Sequence, residues 1–146
     1  MLTKSIIFGN ATLDTVKTMV AVGADVNELR DDGVTPLIAA ILHDRTDLIK
    51  FLLEEGAYPE GDGSYDENPL TLAISSLGED QEVVKLLLSR LILNKNLGHI
   101  YDENYHGYNC FGYAEEGDLD DITELLTTLE KLVSEGNTEL ALEMLK

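Results

Sequence analysis

The sequence predicts an all-α fold, a solenoid of about four helix-turn-helix units with finger loops between them and a closing helix at the C-terminus. Three observations lead there. Asp14, Val16, Lys17, Gly23 and Ala24 have counterparts at Asp47, Ile49, Lys50, Gly56 and Ala57, every pair 33 positions apart. A start signal repeats at the same interval, as Thr35-Pro36-Leu37 and Asn68-Pro69-Leu70. The runs LIKFLL (Leu48 to Leu53) and VVKLLL (Val83 to Leu88) are apolar almost all round, as a helix covered by neighbours on several sides requires.

Taken in chain order, Ile6, Ile7 and Phe8 belong to a shortened first helix, and the segment from Leu13 forms the helix that follows it. Gly23 then ends that helix in the left-handed conformation that glycine adopts without penalty. In the second unit Thr35 can cap a helix with its side-chain oxygen. Pro36 suits the first helical position, where its missing N–H would have had no partner. The second helix runs through Leu48 to Leu53 and stops at Gly56. Asn68 and Pro69 open a third unit in the same way, with about two extra residues before its second helix. A helix pair of this size cannot bury its own apolar faces, so stacking with neighbours makes the core.

The residues GADVN (Gly23 to Asn27), DGVTPLIAA (Asp32 to Ala40), DLIKFLLEEGA (Asp47 to Ala57) and NPLTLAI with EVVKLLL (Asn68 to Leu88) give the chain a clear resemblance to ankyrin-repeat proteins. The resemblance spans roughly residues 2–126. It implies one domain over residues 1–146, with units at about 2–27, 28–60, 61–93 and 107–133, an insertion at about 94–106 and a cap helix over 137–146. The second unit matches best, and the first lacks the Thr-Pro-Leu start. The fourth is degenerate: Asn109 is its cap, Cys110 replaces Pro, and it begins 41 rather than 33 residues after Asn68. Beyond it, Leu125, Leu129, Leu132 and Val133 suggest a longer apolar stripe. The family's usual His after Thr-Pro-Leu is replaced by Ile38, Thr71 and Gly112.

Bulk composition narrows the function. The 146 residues are 44% apolar, enough for one buried core, and net charge is −18. Such charge repels nucleic-acid backbones and anionic membranes and favours a basic protein partner; its plainer role is to keep the chain soluble. The single cysteine excludes an intrachain disulfide, and neither a signal-peptide core nor a membrane-spanning run is present, so a cytoplasmic location is expected.

No chemistry stands out. The acid pairs, such as Asp31-Asp32 and Glu115-Glu116, read as a solvated surface, because catalytic carboxylates need a shared pocket that shifts one pKa. His99, His106, Asp102, Glu103 and Cys110 lie near one another in sequence but match no zinc or calcium spacing. The chain is therefore read as non-catalytic, without metal or cofactor. What remains is a binding surface. In ankyrin repeats the finger loops and first helices line a groove for a protein partner, and here the fingers are about Asp25–Val34, Tyr58–Asn68 and Asn94–Tyr108. Five of the six tyrosines fall in or beside the second and third fingers, and no Lys or Arg lies between Phe51 and Val84 or between Asn96 and Glu130.

Tyrosine is a large contact residue with little side-chain entropy to lose on binding. The expected partner-binding residues are therefore Asp31, Asp32, Tyr58, Glu60, Asp62, Tyr65, Asp66, Glu67, Tyr101, Asp102, Glu103, Tyr105, His106 and Tyr108. The competing expectation is that loop tyrosines pack back onto the stack. With no further domain evident, the resemblance suggests an immunity-type inhibitor of a toxin or of a nucleic-acid-processing enzyme. The alternatives are an adaptor or scaffold, or an acidic nucleic-acid mimic.

Overall fold

The computed structural model of the protein describes residues 2–146 except 9, 62–64, 66–67, 78–80 and 105. Among the described residues there are nine α-helices, one short 3-10 helix and no strand. The chain divides into two compact units, residues 1–69 and residues 70–146.

The first unit contains α1 (Leu2–Phe8), α2 (Leu13–Ala21), α3 (Pro36–Leu42) and α4 (Thr46–Glu54). Two threonines act as physical caps, Thr12 at the start of α2 and Thr35, the expected start signal, at the start of α3. Thr12 accepts the N–H of Thr15 at 3.2 Å, and Thr35 accepts that of Ile38 at 3.3 Å, with Pro36 just inside the helix. Helix α3 packs on both α1 and α4, and α2 packs on α4. Six consecutive residues of α3, Pro36 to Ile41, are buried, which a short helix can reach only when covered on more than one side. Gly23 and Gly56 follow α2 and α4 with φ of 105° and 96°. Past these glycines the chain turns back on the helix end: Ala24 N–H donates to Met19 at 3.0 Å and Ala57 N–H to Leu52 at 2.9 Å.

The turns inside the helix pairs reveal a second recurrence. Asn10, between α1 and α2, and Asp44, between α3 and α4, have left-handed backbones with φ of 47° and 51°. Asn and Asp tolerate this region better than other side-chain-bearing residues. Next to Asp44, the guanidinium of Arg45 forks onto Asp47 at 3.1 and 3.0 Å while donating to the Ala11 carbonyl at 2.9 Å. One side chain thus joins the start of α4 to the α1–α2 turn.

The second unit holds most of α5 (Pro69–Leu77), α6 (Gln81–Leu93), the 3-10 helix (Leu97–Tyr101), α7 (Cys110–Glu116), α8 (Asp120–Ser134) and α9 (Thr138–Met144). Val83, Val84, Leu87, Leu88, Leu91 and Ile92 make α6 the apolar centre. The 3-10 helix packs between α6 and α7, α8 packs on α7, and α9 lies against α8 and α6. Asp118, at the α7–α8 turn, repeats the left-handed conformation with φ of 54°. Asn109 caps α7, accepting the Gly112 N–H at 3.1 Å.

Two features differ from the sequence reading. The stretch at about 94–106, expected as an inserted loop, contains the 3-10 turn, whose Leu97 and Ile100 are buried at a spacing that puts both on one side. In α8 the buried stripe is Ile122, Leu126 and Leu129, while Leu125, Leu132 and Val133 are only half-buried. Helix α9 buries Ala141 and leaves Leu140 exposed.

Two outcomes follow from the first unit. Asp44→Val, which forces a β-branched residue into the left-handed region, is expected to destabilise the protein by about 1–2 kcal/mol in urea unfolding, and Asp44→Gly to stay within about 0.5 kcal/mol of the parent. The hydrogen bond from Arg45 holds the Asp47 carboxyl below its ordinary range. Its contribution is therefore present above the unfolded-state pKa and is lost as pH falls through the lower folded-state value. Asp47→Asn should be less stable than the parent at pH 7, and the difference should close on acidification below about pH 4.

Candidate protein-binding site

The third finger is built from the inside outward. After α6, Lys95 takes a left-handed backbone with φ of 59° and Asn96 N–H donates back to Leu91 at 2.8 Å. Burial of Leu97 and Ile100 then seats the 3-10 turn, leaving Tyr101 and Asp102 at the surface. Asp102 meets Nδ1 of His99 at 2.5 Å.

The next stretch is organised by Asn104, which is only 8% exposed. Its Oδ1 accepts the N–H of His106 at 2.9 Å and of Tyr108 at 3.0 Å, and its Nδ2 donates to the Tyr113 hydroxyl at 2.7 Å. Its own N–H donates to the Tyr108 carbonyl at 2.9 Å, and its carbonyl accepts the Gly107 N–H at 3.0 Å. Gly107 supplies the φ of 80° that the turn requires. A single amide side chain thereby closes the loop on itself and fastens it to α7, using both its acceptor and its donor.

Beneath the finger, the Cys110 thiol donates to the Ile100 carbonyl at 2.8 Å, and burial pushes its pKa up to about 12. This environment suits a packed residue and not a nucleophile. Among the described residues no group of three or more His, Cys, Asp or Glu is placed to hold a metal ion.

Two aromatic pairs support the finger. Tyr101 stacks on Phe111 of α7 with centroids 5.8 Å apart and planes 21° apart, yet stays 49% exposed. A hydrogen bond from its hydroxyl to the Glu130 carboxylate of α8, with some desolvation, holds this phenol above the ordinary tyrosine pKa. Tyr108 lies against Tyr113 at 5.4 Å and 34°, and stays 39% exposed. Gly112 makes room for it, since a Cβ there would come within 3.1 Å of the Tyr108 ring. The family's His is thus replaced by a glycine over which a finger tyrosine packs. Tyr101 and Tyr108 pack back onto α7, as one of the two expectations for loop tyrosines has it, and each still presents surface.

Asp102, Glu103 and His106 are exposed on the same finger, and so are Glu115, Glu116, Asp120, Asp121, Glu124 and Glu130 on the two helices that follow. No Lys or Arg occurs from Asn96 to Glu130, so this stretch of sequence is strongly acidic.

In the first unit, Asn27 plays the linking part. Its Oδ1 accepts the Tyr58 N–H at 2.9 Å and its Nδ2 donates to the Gly56 carbonyl at 3.1 Å, tying the first finger to the start of the second. Asp31 is exposed, whereas Asp32 pairs with Arg30 at 3.0 Å and accepts the Val34 N–H at 3.2 Å. Tyr58 is 55% exposed, and Glu60 and Tyr65 are half-buried. Asp62, Asp66, Glu67 and Tyr105 lie outside the described residues. Of the expected binding residues, Tyr101, Asp102, Glu103, His106 and Tyr108 share the third finger. Sequence reasoning passed over Asn104, Asn27, Phe111 and Glu130. Asn104 had a signal, since Asn and Gly at the first and fourth positions of Asn104-Tyr105-His106-Gly107 suit a type I turn.

Short capped helix pairs with left-handed turns, glycine stops and side-chain-pinned fingers define a helical repeat protein whose surface loops are available for binding. The ankyrin-repeat family model, three copies long, matches residues 4–98, more than half of the sequence, and the chain belongs to the ankyrin-repeat family. It is 30% identical over 143 residues to Ankyrin repeat protein OPG189 of vaccinia virus strain Copenhagen, covering 90% of this chain and 24% of the viral one. The variola virus (isolate Human/India/Ind3/1967) protein of the same name is 31% identical over 144 residues, and the monkeypox virus one 29% over 143, with the same shares. The chain thus spans about a quarter of the length of these curated relatives. Ankyrin repeats are protein–protein interaction modules and are typically non-catalytic, and this chain is an interaction module in that sense. Among the described residues no helix is long and apolar enough to cross a membrane.

Replacing Asn104 tests the finger's construction. Asn104→Ala leaves the Tyr108 and His106 N–H groups and the Tyr113 hydroxyl without this partner and should cost about 1–3 kcal/mol. Cys110 of the parent should resist iodoacetamide at pH 8, and the variant should label faster as the finger loosens; unchanged labelling and stability would show that Asn104 does not hold it.

Proposed function

We propose that this chain occupies a basic protein through the aromatic and acidic surface of its finger loops and blocks that protein's working face. The partner suited to such an inhibitor is a toxin or a nucleic-acid-processing enzyme, whose own substrate site is rich in Lys and Arg. The observation that carries this reading is the form of the third finger: Asn104 and two aromatic pairs support it, with Tyr101, Asp102, Glu103, His106 and Tyr108 at the surface.

A finger ordered before contact has less entropy to lose on binding, so its contact area yields more affinity. The exposed carboxylates on the finger and on α7 and α8 would steer a cationic partner and repel acidic ones. An anionic nucleic acid gains nothing from this surface.

The test is quantitative capture from native cells with the parent chain and with an Asp102→Asn, Glu103→Gln variant, followed by mass spectrometry. The protein lost with the variant should be basic, and its association rate with the parent should fall about tenfold or more as salt rises from low to well above physiological strength. Its activity should stop at one equivalent of the chain. Equal capture by both chains would count against the finger, and a partner that remains fully active while bound would make the chain an adaptor.

A further inference from the structure

We infer that the partner presents arginine side chains, and that the exposed faces of Tyr101 and Tyr108 seat their guanidinium groups. This rests on the basic-partner reading and specifies its chemistry. Acidity alone does not carry it, because carboxylates attract Lys and Arg alike. The discriminating feature is the pair of tyrosine rings. Tyr101 is stacked on Phe111, and Tyr108 is packed against Tyr113 over Gly112, so neither ring needs to be ordered when a ligand arrives. Each still has a large fraction of its surface in solvent.

A planar guanidinium can lie on such a ring and keep its edge N–H groups in the ring plane, directed at carboxylates around it. Asp102 and Glu103 follow Tyr101 in the chain, and Glu130 meets its hydroxyl. An ammonium is a strongly hydrated point charge that cannot make a stacked face and a directed edge contact together. Nucleic-acid bases also stack on tyrosine, but a net charge of −18 opposes their backbone.

The experiment compares nona-arginine and nona-lysine as ligands of the full chain by isothermal titration calorimetry at 0.15 M salt. The parent should bind the arginine peptide about tenfold more tightly. Tyr101→Leu with Tyr108→Leu, which keeps apolar packing on α7 but removes the π-faces, should reduce that preference to below about twofold while leaving lysine-peptide affinity unchanged. Circular dichroism of the variant establishes that it is folded, and Tyr101→Phe with Tyr108→Phe, which retains the faces, should retain the preference. Equal affinity for both peptides, or a preference that survives the leucine substitutions, overturns the arginine inference and leaves the basic-partner reading standing. Binding of neither peptide overturns both.

Discussion

Short helices are the constraint from which the rest follows. Helices α1, α3, α7 and α9 have seven residues each, roughly 10 Å of helix, and isolated helices of that length are not stable in water. Each persists because another helix covers its apolar side. The Thr and Asn caps set where a helix begins, the left-handed Asn10, Asp44 and Asp118 turn the chain inside a pair, and Gly23 and Gly56 release it into a finger. Arg45 adds a tie between successive pairs through the Ala11 carbonyl. The finger loops and the solvent faces of the helices are freed from the demand to be apolar, and the exposed carboxylates of α7 and α8 show that the helices share this load.

Freedom from the core does not leave the first and third fingers without internal ties. Asparagine side chains replace the missing packing, because one amide both accepts and donates. Asn27 uses these two capacities to join the first finger to the backbone at Gly56 and Tyr58, and Asn104 uses them to close the third finger and bind it to Tyr113. Neither adds charge to a surface already strongly negative. In the third finger the stacked tyrosines complete the support, and the same rings supply the contact area. Structural and binding roles therefore coincide in Tyr101 and Tyr108, and separating them experimentally requires substitutions that preserve packing.

Periodicity made part of this legible before any coordinates. Thr35 and Asn109 cap the helices they were expected to cap, and Gly23 and Gly56 have the positive φ expected of helix stops. These positions are set by local backbone chemistry, which is the same in every unit. The insertion was harder, because comparison with the chain's own repeat says nothing about residues that have no counterpart. There the 3-10 turn buries Leu97 and Ile100, too brief an apolar pattern to stand out. The register of α8 was missed because Leu125, Leu126, Leu129, Leu132 and Val133 admit more than one apolar stripe, and tertiary packing selects Ile122, Leu126 and Leu129. The role of Asn104 depends on Tyr113, a partner nine residues away on another element, which no local pattern specifies.

The central claim is that a finger ordered in advance, and not a loop that forms on contact, meets the partner. Amide hydrogen exchange of the free chain and of its complex with a captured basic partner tests it most directly. The account predicts that the N–H groups of Tyr108 and Gly107 are already protected in the free chain and that binding adds protection across the third finger and α7. Full exchange of those amides in the free chain, or a complex in which the finger's exchange is unchanged, would contradict it.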